Sequence, residues 1–87
     1  AGIPRGIARV LGSLGIRCMT IAPSLFDTNL IAGLPQPMKD ELVADAAFPK
    51  RMGRPDEYAR LARAIIENPM LNGSTIRLDA GQRFKPK

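Results

Sequence analysis

Residues 16–28 read Ile-Arg-Cys-Met-Thr-Ile-Ala-Pro-Ser-Leu-Phe-Asp-Thr, and this stretch decides the fold of the chain. Its first part is mostly apolar and is stopped by Pro23. Parallel strands that are covered on both faces are apolar almost without interruption, so the run predicts a buried parallel strand over residues 16–23. Ligands of such sheets bind just beyond the carboxyl ends of the strands. We therefore expect a ligand site where Ser24 and Thr28 follow the strand.

A long helix and a second strand are predicted further along the chain. Residues 55–68 begin with a proline and carry two acidic residues in the first turn, where the helix dipole favours negative charge. Apolar residues then recur at helical spacing, at Tyr58, Leu61, Ala62, Ile65 and Ile66. A short strand is predicted over residues 74–79. Strand, helix and strand together form one right-handed βαβ crossover, which indicates an α/β fold.

Two less regular segments complete the chain. Residues 1–15 predict the end of a helix, because apolar residues recur at helical spacing, at Ile3, Ile7, Val10, Leu11 and Leu14. Residues 24–50 form a long connection with one predicted helix, whose shared apolar face consists of Met38, Leu42, Val43 and Ala46. Connections of this length are usually functional and often act as lids.

Composition narrows the classes of function. The 87 residues suffice for one small domain, and a hydrophobic content of 45% excludes a disordered tail. No window approaches ~18 consecutive apolar residues, so no membrane partner is predicted. Histidine is absent, which removes His-based acid–base chemistry and most zinc sites, and no metal site is predicted.

The net charge of +5 raises the question of nucleic-acid binding. Basic residues cluster loosely in the middle of the chain and at its end, at Lys50, Arg51, Arg54, Arg83, Lys85 and Lys87. No aromatic residues are interleaved with them for base stacking, and no helix carries a one-sided basic stripe. We therefore expect no nucleic-acid partner. A solvated surface, or a few contacts to a phosphate-bearing substrate, accounts better for the charge.

An ordered set of motifs resembles the C-terminal third of the short-chain dehydrogenases/reductases. The first motifs are Ile7-Ala8-Arg9, Gly15-Ile16-Arg17, Met19 to Pro23, Leu25-Phe26 and Thr28. Later motifs narrow the resemblance to the type-2 3-hydroxyacyl-CoA dehydrogenase branch and its bacterial members, a branch also known for 17β-hydroxysteroid activity. They are Phe48-Pro49-Lys50-Arg51, Gly53-Arg54-Pro55, Glu57-Tyr58-Ala59, Ile65 to Gly73 and Ile76-Arg77-Leu78-Asp79.

The resemblance implies a fold and an activity. The fold is a doubly wound parallel sheet of the Rossmann type, of which this chain is the C-terminal βαβ portion with a helical substrate lid over residues 24–50. The activity is interconversion of a secondary alcohol and a ketone, on 3-hydroxyacyl-CoA or a hydroxysteroid-like substrate. The implied cofactor is NAD, with NADP left open because the selecting residues lie upstream. A homo-tetramer in the cytoplasm is implied as well.

The resemblance also assigns the cofactor contact to Pro23, Ser24, Leu25, Phe26 and Thr28. Backbone groups at Phe26 correspond to those that bind the nicotinamide carboxamide, and Thr28 to a residue near the pyrophosphate or nicotinamide ribose. Thr28 has a second interpretation, as the N-cap of a helix that starts at Asn29. Ser24 replaces a glycine of the family, so we expect mild crowding at the nicotinamide. The ending Ala80-Gly81-Gln82 also departs from the family pattern.

No catalytic residue is assigned to this chain. The family's catalysis needs a tyrosine followed four residues later by lysine, but Tyr58 is followed by Ala62 and lies on the apolar stripe of its helix. The catalytic Ser, Tyr and Lys and the adenine-binding half are expected upstream of Ala1, and the chain alone is expected to be inactive. The alternative function is a small self-associating interaction module, or an inactive fragment without cofactor binding.

Overall fold

The computed structural model describes residues 2–82, which form a two-stranded parallel sheet with helices around it. The elements in chain order are α1 (Ile3–Leu11, continued by a 3₁₀ turn at Gly12–Leu14), β1 (Thr20–Pro23), α2 (Asn29–Ala32), α3 (Gln36–Leu42), α4 (Pro55–Glu67) and β2 (Thr75–Leu78). The two strands are parallel, with Thr20 opposite Thr75 and Pro23 opposite Leu78. The α/β class and the order strand, helix, strand are confirmed. The predicted basic tail at Arg83, Lys85 and Lys87 lies outside the described residues.

The first strand is shorter than the predicted residues 16–23. Only Thr20–Pro23 pairs with β2, because residues 71–74, which lie opposite residues 16–19 in this register, are irregular with a bend at Gly73. Cys18 is nevertheless fixed there, since its N–H donates to the Asn72 side chain at 2.9 Å and its carbonyl accepts the Gly73 N–H at 2.8 Å. The second strand is likewise shorter than residues 74–79.

The apolar face predicted for the first helix is not buried within residues 2–82. Pro4 and Ala8 are the buried residues of α1. By contrast, Ile3 is 75% exposed and Val10 73% exposed, and Leu14 in the following turn is 70% exposed. The predicted helix is therefore present, but it packs on the rest of the described chain through Pro4 and Ala8 and not through the apolar face that the spacing predicted.

The segment over residues 24–50 contains two helices instead of the one predicted. The short α2 follows Thr28, and α3 ends at Leu42. Val43 lies outside the helical conformation, so Met38 and Leu42 share a helix, whereas Val43 and Ala46 follow its end. Val43 and Ala46 are buried all the same, and with Ala8 and Met52 they are the buried apolar residues of the described chain.

The C-terminal end of α4 is held by an arginine that precedes β1. The Arg17 guanidinium donates four hydrogen bonds to main-chain carbonyl oxygens, those of Ile65, Ile66, Asn68 and Leu71, at 2.8–3.0 Å. The last carbonyls of a helix have no partner within the helix and carry its negative dipole end. Arg17 therefore satisfies several of these acceptors at once and ties α4 to the segment that leads into the sheet.

Candidate functional site

The backbone after β1 is fixed by two neighbours. The Ser24 N–H donates to the Leu78 carbonyl at 3.2 Å, which extends the contact with β2 by one residue. Phe26 and Gly53 then form an isolated parallel bridge. In this bridge the Gly53 N–H donates to the Leu25 carbonyl at 2.9 Å, and the Asp27 N–H donates to the Gly53 carbonyl at 2.8 Å. Residues 24–27 are thus held in an extended path at the carboxyl edge of the sheet.

The bridge leaves the backbone polar groups of Phe26 unused. Peptide groups alternate in direction along an extended chain, so Leu25 and Asp27 supply the bonds to Gly53 while the N–H and C=O of Phe26 point to the opposite side. Neither group takes part in a backbone hydrogen bond among residues 2–82. One donor and one acceptor are therefore presented side by side at this edge.

All five residues assigned to the cofactor line one cavity of about 380 Å³ at this edge. The cavity is completed by three residues that the sequence did not point to as site residues, Ile31, Pro55 and Tyr58. Tyr58 packs edge-to-face on Phe26, with ring centroids 6.0 Å apart. Apolar side chains from α2 and from the start of α4 thus form the walls around the five assigned residues.

Thr28 stands at the N-cap position of α2, as its second interpretation predicted. Its carbonyl accepts the N–H of Ile31 at 3.0 Å and of Ala32 at 2.8 Å. Its side chain, however, makes no capping hydrogen bond. The helix therefore does not engage the Thr28 hydroxyl, which is exposed on the wall of the cavity.

The Ser24 hydroxyl is engaged by a residue that the sequence analysis did not place at the site. It donates to Oε1 of Gln82, and the Gln82 side-chain amide in turn donates to the Leu42 carbonyl at 3.2 Å. Gln82 is only 6% exposed. The sequence offered one hint of this contact. Gln82 is a polar residue directly after Asp79-Ala80-Gly81, within the ending that departs from the family pattern.

A second cavity, of about 220 Å³, shares Ser24, Leu25 and Phe26 with the first. Its other walls come from the segment before α4 and from the turn after β2, and include Pro49, Gly53, Leu78, Ala80 and Gln82. Because the same three residues line both cavities, residues 24–26 form a wall between them. The position of this wall depends on both Gly53 and Gln82.

The basic residues in the middle of the chain are engaged by internal partners. The Lys50 ammonium donates to the carbonyls of Ala44 and Ala46, each at 2.9 Å. Arg51 forms a two-point ion pair with Glu57, at 2.7 and 2.9 Å. These contacts favour a structural role for the two cations over the phosphate contact that the sequence left open.

The pKa of Glu57 is lowered to about 2, first by the hydrogen bonds from Arg51 and then by the one from the Arg54 N–H. A carboxylate with a depressed pKa in the folded state stabilises that state above its unfolded pKa, and this contribution is lost as the pH falls through the folded pKa. Glu57→Gln should therefore lower the melting temperature at pH 7. The difference should shrink between about pH 4.5 and pH 2.

Thermal unfolding of the two proteins across this pH range measures the effect. Glu67→Gln, which removes an ion pair between two exposed side chains of the same helix, is the matched control and should change the melting temperature little at pH 7. A difference between wild type and Glu57→Gln that stays constant down to pH 2 would contradict the assignment.

Over the described residues, no helix is long and apolar enough to cross a bilayer. Nor does this part of the chain hold a group of three or more cysteine, aspartate or glutamate side chains that could bind a metal ion. The chemistry offered by the cavity at the carboxyl edge is therefore that of backbone groups, hydroxyls and apolar walls.

Three comparisons relate the chain to known proteins. A family model described as enoyl-(acyl carrier protein) reductase matches residues 1–83. Human 3-hydroxyacyl-CoA dehydrogenase type-2 is 52% identical over 85 residues, which are 98% of this chain and 33% of that protein. Ipsdienol dehydrogenase of Ips pini is 42% identical over 82 residues, 94% of this chain and 32% of that protein.

A solved structure matches as well. The crystal structure of 3-hydroxyacyl-CoA dehydrogenase type-2 from Mycobacterium avium superimposes with a TM-score of 0.92 at 41% identity, covering 99% of this chain and 33% of that one. The chain thus spans about a third of the length of these relatives, and the matched part is their C-terminal third.

Proposed function

Since this chain belongs to the short-chain dehydrogenase/reductase family, we propose that it supplies the nicotinamide-pocket floor and the substrate lid of a dehydrogenase acting on 3-hydroxyacyl-CoA. The predicted doubly wound α/β architecture is confirmed by the structural match. Family membership implies a nicotinamide cofactor. When bound, this cofactor would exchange a hydride with the substrate carbon.

The observation that carries the proposal is that the N–H and C=O of Phe26 make no backbone hydrogen bond among residues 2–82. A carboxamide has one N–H₂ donor group and one carbonyl acceptor, and Phe26 presents one acceptor and one donor at the cavity edge. The contacts to Gly53 hold these groups in place before any ligand arrives, so little ordering is needed on binding. The Thr28 hydroxyl makes no capping bond to α2 and lies on the same cavity, whose walls include the apolar groups of Ile31, Pro55 and Tyr58.

The choice of NAD over NADP, the tetramer and the cytoplasmic location are part of the proposal and rest on the family resemblance. The lid is proposed for residues 24–50, which contain α2 and α3. The substrate class is proposed from the relatives, which are 3-hydroxyacyl-CoA dehydrogenases of type 2. The general acid and base are expected in the other two thirds of the protein.

One observation favours self-association as a second function. The exposed apolar residues of α1, Ile3, Val10 and Leu14, form a face that the described chain does not cover. Such a face buries itself against another surface when one is available. Concentration-dependent association of the chain, without any affinity for NADH, would favour this alternative over the dehydrogenase.

The test is a complete dehydrogenase in which this chain replaces the C-terminal third of the Mycobacterium avium enzyme. We expect it to oxidise NADH with a 3-ketoacyl-CoA, whereas the chain alone does not. Thr28→Val should raise the Kd for NADH about fivefold to tenfold by removing one hydrogen bond, and Thr28→Ser should not. Thr75→Val, an exposed threonine on β2, is the control. A folded chimera without affinity for NADH would refute the proposal.

A further inference from the structure

The turn after β2 has an enforced backbone conformation. Ala80 has a φ of 53° and Gly81 a φ of 72°, both in the left-handed region, which is unfavourable for alanine. A Cβ added to Gly81 would lie 2.8 Å from the Cβ of Ala47, so only glycine fits at this point. The Gln82 N–H closes the turn by donating to the Asp79 carbonyl at 2.9 Å.

The contacts of this turn explain why its conformation is held. The Ala80 carbonyl accepts two N–H groups from the end of the segment over residues 24–50, that of Ala47 at 2.9 Å and that of Phe48 at 3.1 Å. The Gln82 side chain reaches the beginning of the same segment through Ser24 and its middle through the Leu42 carbonyl at the end of α3. The buried Gln82 side chain thus links Ser24, the first residue of the segment over residues 24–50, to Leu42 at the end of α3.

A side-chain amide suits this pair of contacts. Its oxygen accepts the Ser24 hydroxyl while its N–H₂ donates to Leu42, and a carboxylate of the same shape has acceptors only. A hydrocarbon side chain would leave the partner groups of a buried site unsatisfied, which is unfavourable. Gln82 itself is 6% exposed, and both of its side-chain hydrogen bonds are partly buried.

We propose that Gln82 is a positioning residue that couples the nicotinamide floor to the lid, and this inference rests on the proposed function. Through Ser24 it sets the wall formed by residues 24–26, and through Leu42 it sets the end of α3. The two departures from the family pattern noted in the sequence, Ser24 and the ending that contains Gln82, are hydrogen-bonded to each other. The Ser24 hydroxyl is directed to Gln82. The mild crowding expected from serine in place of glycine stays a prediction.

Three single substitutions distinguish the contact of Gln82 with Ser24 from its contact with Leu42. Gln82→Glu keeps an acceptor for Ser24 but loses the donor to Leu42. Ser24→Ala loses the floor contact and leaves the contact with Leu42. Gln82→Leu loses both. All are made in the complete dehydrogenase that carries this chain as its C-terminal third, and each is measured by amide hydrogen exchange of residues 36–48, the Kd for NADH and the KM for a 3-ketoacyl-CoA.

Gln82→Glu should speed exchange in residues 36–48 and raise the KM for the ketoacyl-CoA about fivefold, with the Kd for NADH changed less than about twofold. Ser24→Ala should do the reverse, raising the Kd for NADH about fivefold without changing exchange in residues 36–48. Gln82→Leu should show both effects. Identical changes in Gln82→Glu and Ser24→Ala, or unchanged exchange in Gln82→Glu, would overturn the inference.

The same measurements separate this inference from the proposed function. If the complete dehydrogenase that carries the unaltered chain does not bind NADH, the proposed function fails, and with it the coupling to a nicotinamide floor. If wild type binds NADH but the two variants do not differ in the parameters they change, the proposed function stands and Gln82 serves only to pack the turn.

Discussion

Arg17→Ala is expected to lower the free energy of unfolding by about 2–4 kcal/mol, since hydrogen bonds from a charged donor each contribute about 1.5–3 kcal/mol and do not add fully. Arg17 donates to four carbonyls, those of Ile65 and Ile66 in the last turn of α4 and those of Asn68 and Leu71 just beyond it, and two of these bonds are partly buried. Its positive charge also complements the negative end of the helix dipole. Chemical denaturation of wild type and variant measures the loss.

Two variants control for charge and for the general loss of an arginine. Arg17→Lys keeps the charge, but a compact ammonium cannot span four acceptors as the planar guanidinium does, so it should recover only part of the stability. Arg63→Ala removes an arginine that pairs with Glu67 on the exposed face of α4, and the change should stay within about 0.5 kcal/mol. Equal losses for Arg17→Ala and Arg63→Ala would show that the carbonyl contacts add nothing beyond a surface ion pair.

Gly53→Ala is expected to lower the free energy of unfolding by about 1–3 kcal/mol, the usual cost of inserting a methyl group into a packed site. The new Cβ would lie 2.5 Å from Cε2 of Phe26 and 2.6 Å from its Cζ. The ring cannot retreat freely, because Tyr58 packs against it edge-to-face. The backbone of Phe26 would move with the ring, so the Kd for NADH of the complete dehydrogenase should rise as well.

Gly12→Ala is the matched control for this substitution. Gly12 has a helical φ of −59°, and nothing lies within 4 Å of an added Cβ. Alanine is favoured over glycine at such a position, so stability should rise by about 0.4–1 kcal/mol. A Gly53→Ala protein as stable as wild type, with unchanged affinity for NADH, would show that the ring and the wall can shift without cost.

The sequence predicted those parts of the fold that depend on local pattern. The apolar run up to Pro23 and the helical spacing after Pro55 are local signals, and both elements exist, although the first strand is shorter. The limits of the first strand depend on its partner, since the chain around Asn72 and Gly73, opposite Cys18, is bent and does not continue β2. No local pattern contains that information.

The candidate site divides in the same way. The five assigned residues lie within residues 23–28, at the end of β1 and directly after it, so their meeting in one cavity follows from their place in the sequence. Tyr58, Gly53 and Gln82 come from distant parts of the chain, and their contacts with Phe26 and Ser24 exist only after folding. The apolar stripe of its helix predicted that Tyr58 packs, but nothing near it in the sequence predicted Phe26 as its partner.

Parallel pairing of β1 with β2 makes the sheet a late event during synthesis. Thr20 pairs with Thr75, so α2, α3 and α4 leave the ribosome before β1 has its partner. Contacts between residues so far apart in the chain form slowly, because the intervening loop must close against its entropy. Until then β1 offers an unpaired edge. We therefore expect nascent chains to depend on chaperones until β2 emerges.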